Sequence, residues 1–274
     1  MTTMKVRFYI EGLSNDKKAL ERAVEEIVKS LKNEDIFKVE NIRVESILEN
    51  PDDDMLKYSM MVEADLEGSF KDIVKAAMKY APVVVEVISP AKMEIEGKEL
   101  MKILGEVSLF IGELMKNFGT LAVYPRFEEL PEPRIGYSRE EIEDSIIDDR
   151  EILYRFVVEV FGEDQKAIED VLKKAFDYEG AKINKIVSKV QEEKNGKLRI
   201  LAAAELISSF ETLFQLTGKF APVAISIMEP EMIDVSAAEL QNVLTDLASF
   251  VYELIHRPIK KKIVEHDMFK IKLS

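Results

Sequence analysis

The chain has 274 residues, 47% hydrophobic and 33% charged, with 52 acidic against 38 basic residues and a net charge of -14. That length suits two domains of ordinary size, and the acidic balance argues against a broad nucleic-acid surface. The absence of cysteine excludes disulfides, thiol nucleophiles and thiolate metal sites.

The first half opens with alternation. Val6, Phe8 and Ile10 point one way and Arg7, Tyr9 and Glu11 the other, which predicts a half-buried strand. A helix is expected from about Asn15 to Lys32, with Leu20, Val24, Ile27, Val28 and Leu31 on one stripe. A strand follows over Lys38–Leu48, broken by Asn50-Pro51-Asp52-Asp53-Asp54, and a return strand runs from about Leu56 to Leu66. Ser69 with Asp72 reads as a capping box for a short helix that ends at Tyr80, where Ala81-Pro82 stops it. Val83–Ile88 is a strand, and a longer apolar helix spans roughly Gly97–Phe118.

From Pro125 to Arg150 the chain reads as a linker, extended through Pro131 and Pro133, then a short helix capped by Ser138 with Glu141. The second half has a strand over Tyr154–Val160 and a helix from Asp164 to Phe176. A hairpin then joins Ile183–Val190 to Lys197–Glu205 across Asn195-Gly196, a dipeptide in which both residues accept positive φ. A helix over Ser209–Phe220, a strand over Val223–Met228 and a last helix from Ser236 to about His256 complete it. The tail after Pro258 alternates weakly and predicts an edge strand.

The two halves match. Lys79-Tyr80-Ala81-Pro82-Val83 returns as Lys219-Phe220-Ala221-Pro222-Val223, and the match continues at a shift of 140 through Leu104/Leu244, Phe110/Phe250 and Leu114/Leu254. Arg7-Phe8, Glu11 and Asp16 match Arg155-Phe156, Glu159 and Asp164 at a shift of 148, so the first copy carries eight extra residues. A period this long is a whole domain. The expected fold class is therefore α+β: a tandem duplication of a ferredoxin-like βαββαβ unit, each followed by a long apolar helix, with a pseudo-twofold relation. The expected organisation is 1–124, first repeat; 125–150, linker; 151–258, second repeat; and 259–274, basic tail. The order resembles duplicated ferredoxin-like proteins, including ACT-type regulatory domains and dimeric α+β barrels. That resemblance implies a fold and no activity.

Two sets of residues stand out as candidate sites. Arg7, Glu11 and Lys57 recur as Arg155, Glu159 and Lys197 on the outward sheet faces. They read either as cross-strand ion pairs or as a polar cleft for an anionic or zwitterionic ligand, since the arginine fork suits carboxylates and phosphates. Phe110, Leu114, Phe250 and Leu254 lie on helices apolar on more than one side, which need a second partner, either the other half or another subunit. No P-loop, nucleophile elbow or His-Glu-x-x-His is present, and the two histidines, His256 and His266, sit near the end. No metal or cofactor is expected.

The opening residues carry no apolar leader. The most apolar stretch, Leu100–Phe118, is broken by Lys102, Glu106, Glu113 and Lys116, so no membrane span is expected and the cytoplasm is the default. Richness in Glu, Lys and Ile resembles thermophile composition. The expected function is a non-catalytic module that binds a small molecule or protein between the two repeats. The alternatives are an enzyme using carboxylate, Lys, Arg or Tyr groups in that cleft, with or without a divalent metal, and an accessory protein docking an acidic partner or RNA through the basic tail. A homo-oligomer fits the apolar helices.

Overall fold

The computed structural model describes residues 3–49, 56–119, 123–194, 196–260 and 269–270. The Asn50–Asp54 loop, Asn195, His266 and most of the basic tail lie outside these residues, as do the side chains of His256 and Arg257. The fold is mixed α+β, with antiparallel sheets and seven α-helices among the described residues. In chain order the first half contains β1 (Thr3–Ser14), α1 (Lys17–Lys32), β2 (Lys38–Val44), β3 (Leu48–Glu49), β4 (Tyr58–Ser69), α2 (Phe70–Tyr80), β5 (Val84–Ser89), β6 (Lys92–Glu96) and α3 (Gly97–Phe118). The linker carries β7 (Val123–Tyr124), a 3-10 turn at Phe127–Glu129 and α4 (Arg139–Ile147). The second half contains β8 (Ile152–Gly162), α5 (Gln165–Tyr178), β9 (Lys182–Lys194), β10 (Lys197–Ser208), α6 (Phe210–Phe220), β11 (Ala224–Glu229), β12 (Met232–Ser236), α7 (Ala237–Lys260) and β13 (Phe269–Lys270).

The chain forms two compact units. The first is Met1–Met93 with Val235–Ser249, and the second is Glu94–Asp234 with Phe250–Ser274. The helix α3, which follows the strands of the first half, is thus built into the second unit, and the start of α7 is built into the first.

In the first unit the sheet order is β2-β4-β1-β5, with β3 on β4. Val6, Phe8 and Ile10 of β1 and Val62, Ala64 and Leu66 of β4 are buried, as the alternation requires. They meet Leu20, Val24 and Leu31 of α1 and Ile73 and Ala77 of α2, each large side chain contributing roughly 1.5–3 kcal/mol by burial. Asp16 caps α1 by accepting from the Ala19 amide at 2.7 Å, and Ser69 caps α2 by accepting from Asp72 at 3.2 Å. β5 is an edge strand, and α7 supplies acceptors to it. The amides of Val85 and Val87 donate to Thr245 Oγ1 at 3.3 Å and Gln241 Oε1 at 3.2 Å.

In the second unit the order is β11-β8-β10-β9, the same connectivity in the same sense. Lys194 pairs with Lys197 around the hairpin, and Gly196 has φ 72, as the Asn-Gly turn predicts. α3 packs on α6 and β11, and its buried Ser108 donates to the Pro222 carbonyl at 2.6 Å. Reciprocal capping boxes start α4 at Ser138/Glu141 and α7 at Ser236/Glu239. Within the tail, β13 pairs with β7. The halves share further detail: Ala81 and Ala221 end α2 and α6 in the left-handed region, and Ser89-Pro90 and Glu229-Pro230 are cis. β6 and β12 escaped the sequence reading, although Met93 and Ile95 alternate with Lys92, Glu94 and Glu96 and are buried as alternation demands.

Candidate functional site

The charged residues expected on the sheet faces are partnered, for the most part, within each sheet. Arg7 donates through Nε to Asp65 Oδ1 at 2.6 Å and through Nη2 to Oδ2 at 3.3 Å, with Glu86 at 3.9 Å. The hydrogen bond from Arg7 holds the Asp65 carboxyl below its ordinary range, and the same bond raises Arg7. Arg155 occupies the corresponding register opposite Glu205 but lies 3.6 Å away, and its side chain is 63% exposed against 35% for Arg7. Glu159 pairs with Arg199 at 2.6 Å, whereas Glu11 stands opposite Met61. Lys57 precedes β4 and pairs with Glu49 at 3.3 Å, and Lys197 is exposed at the hairpin. Phe110 and Leu114 are half-buried on α3, Leu254 is fully buried, and Phe250 lies over Gly218, where an added Cβ would be 2.5 Å from its ring. Among the described residues no group of three or more His, Cys, Asp or Glu could hold a metal ion.

Each unit also holds a Glu–Lys pair, its carboxylate largely buried and its lysine partly exposed, beside a tyrosine. In the first, Glu34 is 8% exposed, accepts from Lys79 Nζ at 2.6 Å and from Tyr80 Oη at 3.1 Å, and Tyr80 also meets Ser30 at 2.9 Å. The Lys79 hydrogen bond lowers Glu34 and Glu34 raises Lys79, so both groups stay charged. In the second, Glu179 pairs with Lys219, and Tyr124 stacks near Phe220 and Tyr178. The Tyr124 hydroxyl is buried without a well-formed hydrogen bond. Burial, then the Glu179 charge, pushes its pKa up. These pairs tie the end of one helix to the next.

A concave surface lies elsewhere in the first unit, along α1 and the edge strand β2. One groove of about 680 Å3 is lined by Val24 and Val28 of α1, Val44 and Met60 of the sheet, and the charged residues Glu21, Glu25, Lys29 and Lys32. A second, of about 490 Å3, continues past Lys32 along Val39, Glu40 and Ile42. None of the six expected charged residues lines either groove. Glu40 sits in a bulge between Val39 and Asn41 and accepts from Lys5 at 3.1 Å and Lys38 at 2.9 Å, which brings its carboxyl down to about 2. The outer edge of β2 pairs with no strand among the described residues.

In the second unit the corresponding edge is covered by the linker. β9 carries the same bulge, at Asn184, between Ile183 and Lys185. Ile135 bridges Ile183 in parallel, the Gly136 amide donates to the Ile183 carbonyl at 3.1 Å, and the Tyr137 amide donates to Asn184 Oδ1 at 3.0 Å. Upstream, Lys174 of α5 pairs with Glu132 at 2.8 Å and donates to the Phe127 carbonyl at 3.1 Å. Downstream, α4 packs Ile142 against Leu153 and Ile207, with Tyr137 and Ile146 beside them.

Residues 5–261 match the model of the MJ0538 family. The chain belongs to the MJ0538 family. It is 28% identical over 265 residues to a Methanocaldococcus jannaschii protein called "Uncharacterized protein MJ0538", covering 94% of this chain and 100% of that protein. No solved structure matches this MJ0538-family chain. No helix of the described residues is long and apolar enough to cross a membrane. The groove-lining residues of this family member escaped sequence reasoning because Val28 falls on the apolar stripe of α1 and reads as an ordinary core position, and Val44 and Met60 sit inside strands with nothing to single them out. The available signal was that Val28 extends the apolar stripe of α1 beyond what one strand covers.

Proposed function

We propose that this MJ0538-family protein is a non-catalytic partner-binding module, and that its site is the groove along α1 and β2 of the first unit. The observation that carries the reading is the contrast between two like edges, one covered by the chain's own linker and one, with an apolar floor beside it, that pairs with no strand among the described residues. The reading includes a tandem pair of ferredoxin-like copies. It is supported by the equal strand order, the equal bulge positions and the paired left-handed alanines. On that view the eight-residue difference is split evenly: half lies between the first helix and the next strand, and half in the hairpin. The non-catalytic element is supported by direction of charge. Glu34, Glu40, Asp65, Glu141 and Glu229 all shift downward, each held ionised by a hydrogen-bonding partner, which is the opposite of a carboxyl tuned as a general acid.

Methyl-labelled full-length protein, screened by NMR against small molecules and synthetic peptides, tests this. Ligands should move the Val24, Val28, Val44 and Met60 methyl signals, and a Val44→Trp variant that fills the groove should abolish the response. A screen in which those methyls never move, or a response untouched by V44W, refutes the reading.

A further inference from the structure

The same contrast specifies what kind of partner the groove takes, an inference that rests on the partner-binding reading above. In the second unit an edge strand accepts an extended segment of polypeptide. The segment runs parallel to β9, places Ile135 opposite Ile183, and donates two successive amides, one to the Ile183 carbonyl and one to the side chain in the bulge. Its acidic residue three positions before the isoleucine, Glu132, meets a helix lysine.

The β2 edge repeats those acceptors. Val39 pairs with Leu66 as Ile183 pairs with Leu206, each immediately before the bulge, so the Val39 carbonyl faces the open edge as the Ile183 carbonyl faces the linker. Glu40 stands in the bulge where Asn184 stands; its carboxylate accepts from Lys5 through both oxygens and from Lys38 through Oε1, which leaves Oε2 lone-pair capacity for a backbone amide. Charge is placed differently. At the shift of 148, Lys174 corresponds to Glu26, and the groove wall carries Lys29 and Lys32 beside Glu21 and Glu25. The two lysines make no ion pair among the described residues and are the cations available to an acidic residue. Lysine, charge and a bulge on an edge strand ordinarily guard against stray pairing. Here they do not, because β9 carries the same bulge and the matching Lys182, and the linker pairs with it nonetheless.

We infer that β2 is a strand-addition site: it takes an extended polypeptide segment, parallel to itself, with an apolar residue opposite Val39 and an acidic residue upstream against Lys29 and Lys32. The backbone supplies affinity, while the Val28–Val44 floor and the two lysines select the sequence.

The probe is a synthetic peptide of residues 129–138 added to the full-length protein. Hydrogen exchange read by NMR should show saturable slowing of β2 amides, with those of β9 unchanged because its edge is already filled. A peptide with sarcosine in place of Gly136, which lacks the donating amide, should bind at least tenfold more weakly. So should a peptide with Ile135→Asp. A Glu132→Lys peptide should also bind at least tenfold more weakly, and a Lys29→Glu/Lys32→Glu protein should recover that loss. Absence of β2 protection, equal binding of the sarcosine peptide, or protection appearing at β9 instead overturns strand addition. Ligands that move the groove methyls without protecting β2 overturn strand addition alone, whereas methyls that no ligand moves sink the partner-binding reading as well.

Discussion

Ala81 and Ala221 offer a test of the backbone that ends α2 and α6. Their φ values are 42 and 43, the left-handed region, and each stands directly before a proline. An L-residue there crowds its Cβ against the following carbonyl, at a cost of roughly 1–2 kcal/mol. Glycine removes that cost but loses about 0.5–1 kcal/mol through the greater freedom of its unfolded chain. Both alanines are half-buried, so deleting the methyl forfeits a few tenths of a kcal/mol more, a fraction of the roughly 0.8 kcal/mol for a fully buried carbon. The balance favours glycine by about 0.5 kcal/mol at each site. At a urea slope of about 2–3 kcal/mol/M, A81G or A221G should raise the unfolding midpoint by about 0.2 M with unchanged slope. Ala→Val at either site, where β-branching worsens the clash, should lower it. If either glycine variant unfolds earlier at the same slope, the left-handed alanines are not a store of backbone strain and the reasoning fails.

Three further outcomes follow from contacts within single units. Ile207→Ala should cost about 2–5 kcal/mol in chemical denaturation, because Ile207 is fully buried beneath α4, whereas Glu67→Ala at the corresponding position should stay within about 0.5 kcal/mol. Ser108→Ala should lose about 1–3 kcal/mol by leaving the Pro222 carbonyl buried without its donor, and Ser108→Thr should recover part of it if the methyl fits. Glu34 has a folded pKa below its usual 4.5, so its stabilising contribution is complete above that pH and disappears as pH falls through the folded value. Stability of Glu34→Gln measured between pH 6 and acid should therefore decline less steeply than wild type, and parallel curves would dismiss the Glu34–Lys79 contribution.

Local chemistry made much of the fold legible. Alternation in Val6–Ile10 gave β1, serine with an acidic residue three positions on marked the starts of α2, α4 and α7, and Asn195-Gly196 marked the hairpin. Each signal is a preference of a few neighbouring residues, which a sequence carries whole. The partner of an apolar face is different. The stripes of α3 and α7 announce that something must cover them, but periodicity is blind to which unit does so, and α3 is built on β11 and α6. The charged sheet residues show the same blindness. Arg7 and Arg155 are identical in sequence and register, yet only Arg7 is locked by two hydrogen bonds, because Asp65 is within reach while Glu205 is drawn to Asn184 Nδ2 at 2.6 Å. The groove was invisible for a related reason. An open edge is defined by what does not pair with it, and no residue of β2 records that.

The unequal fates of the two edges are written in the residues beneath them. Where the linker lies on the second unit, the sheet presents Leu153 and Ile207, an apolar pair that only a covering helix such as α4 can keep from water. The corresponding pair in the first unit is Lys5 and Glu67, joined to Glu40 and Lys38 in a network that water tolerates. Among the described residues the linker lies along β9 and not along β2, and the first unit's sheet carries a polar surface at the matching place. Yet the polar substitution stops there. Nearby, Val39 and Val44 of β2, Val28 of α1 and Met60 of β4 remain apolar around the groove. Solubility alone would have favoured polar residues at Val44, whose side chain is 41% exposed. An apolar floor beside an edge that pairs with no strand among the described residues fits the transient occupant proposed above: enough buried area to bind, and enough charge in Lys29 and Lys32 to stay dissolved when the partner leaves.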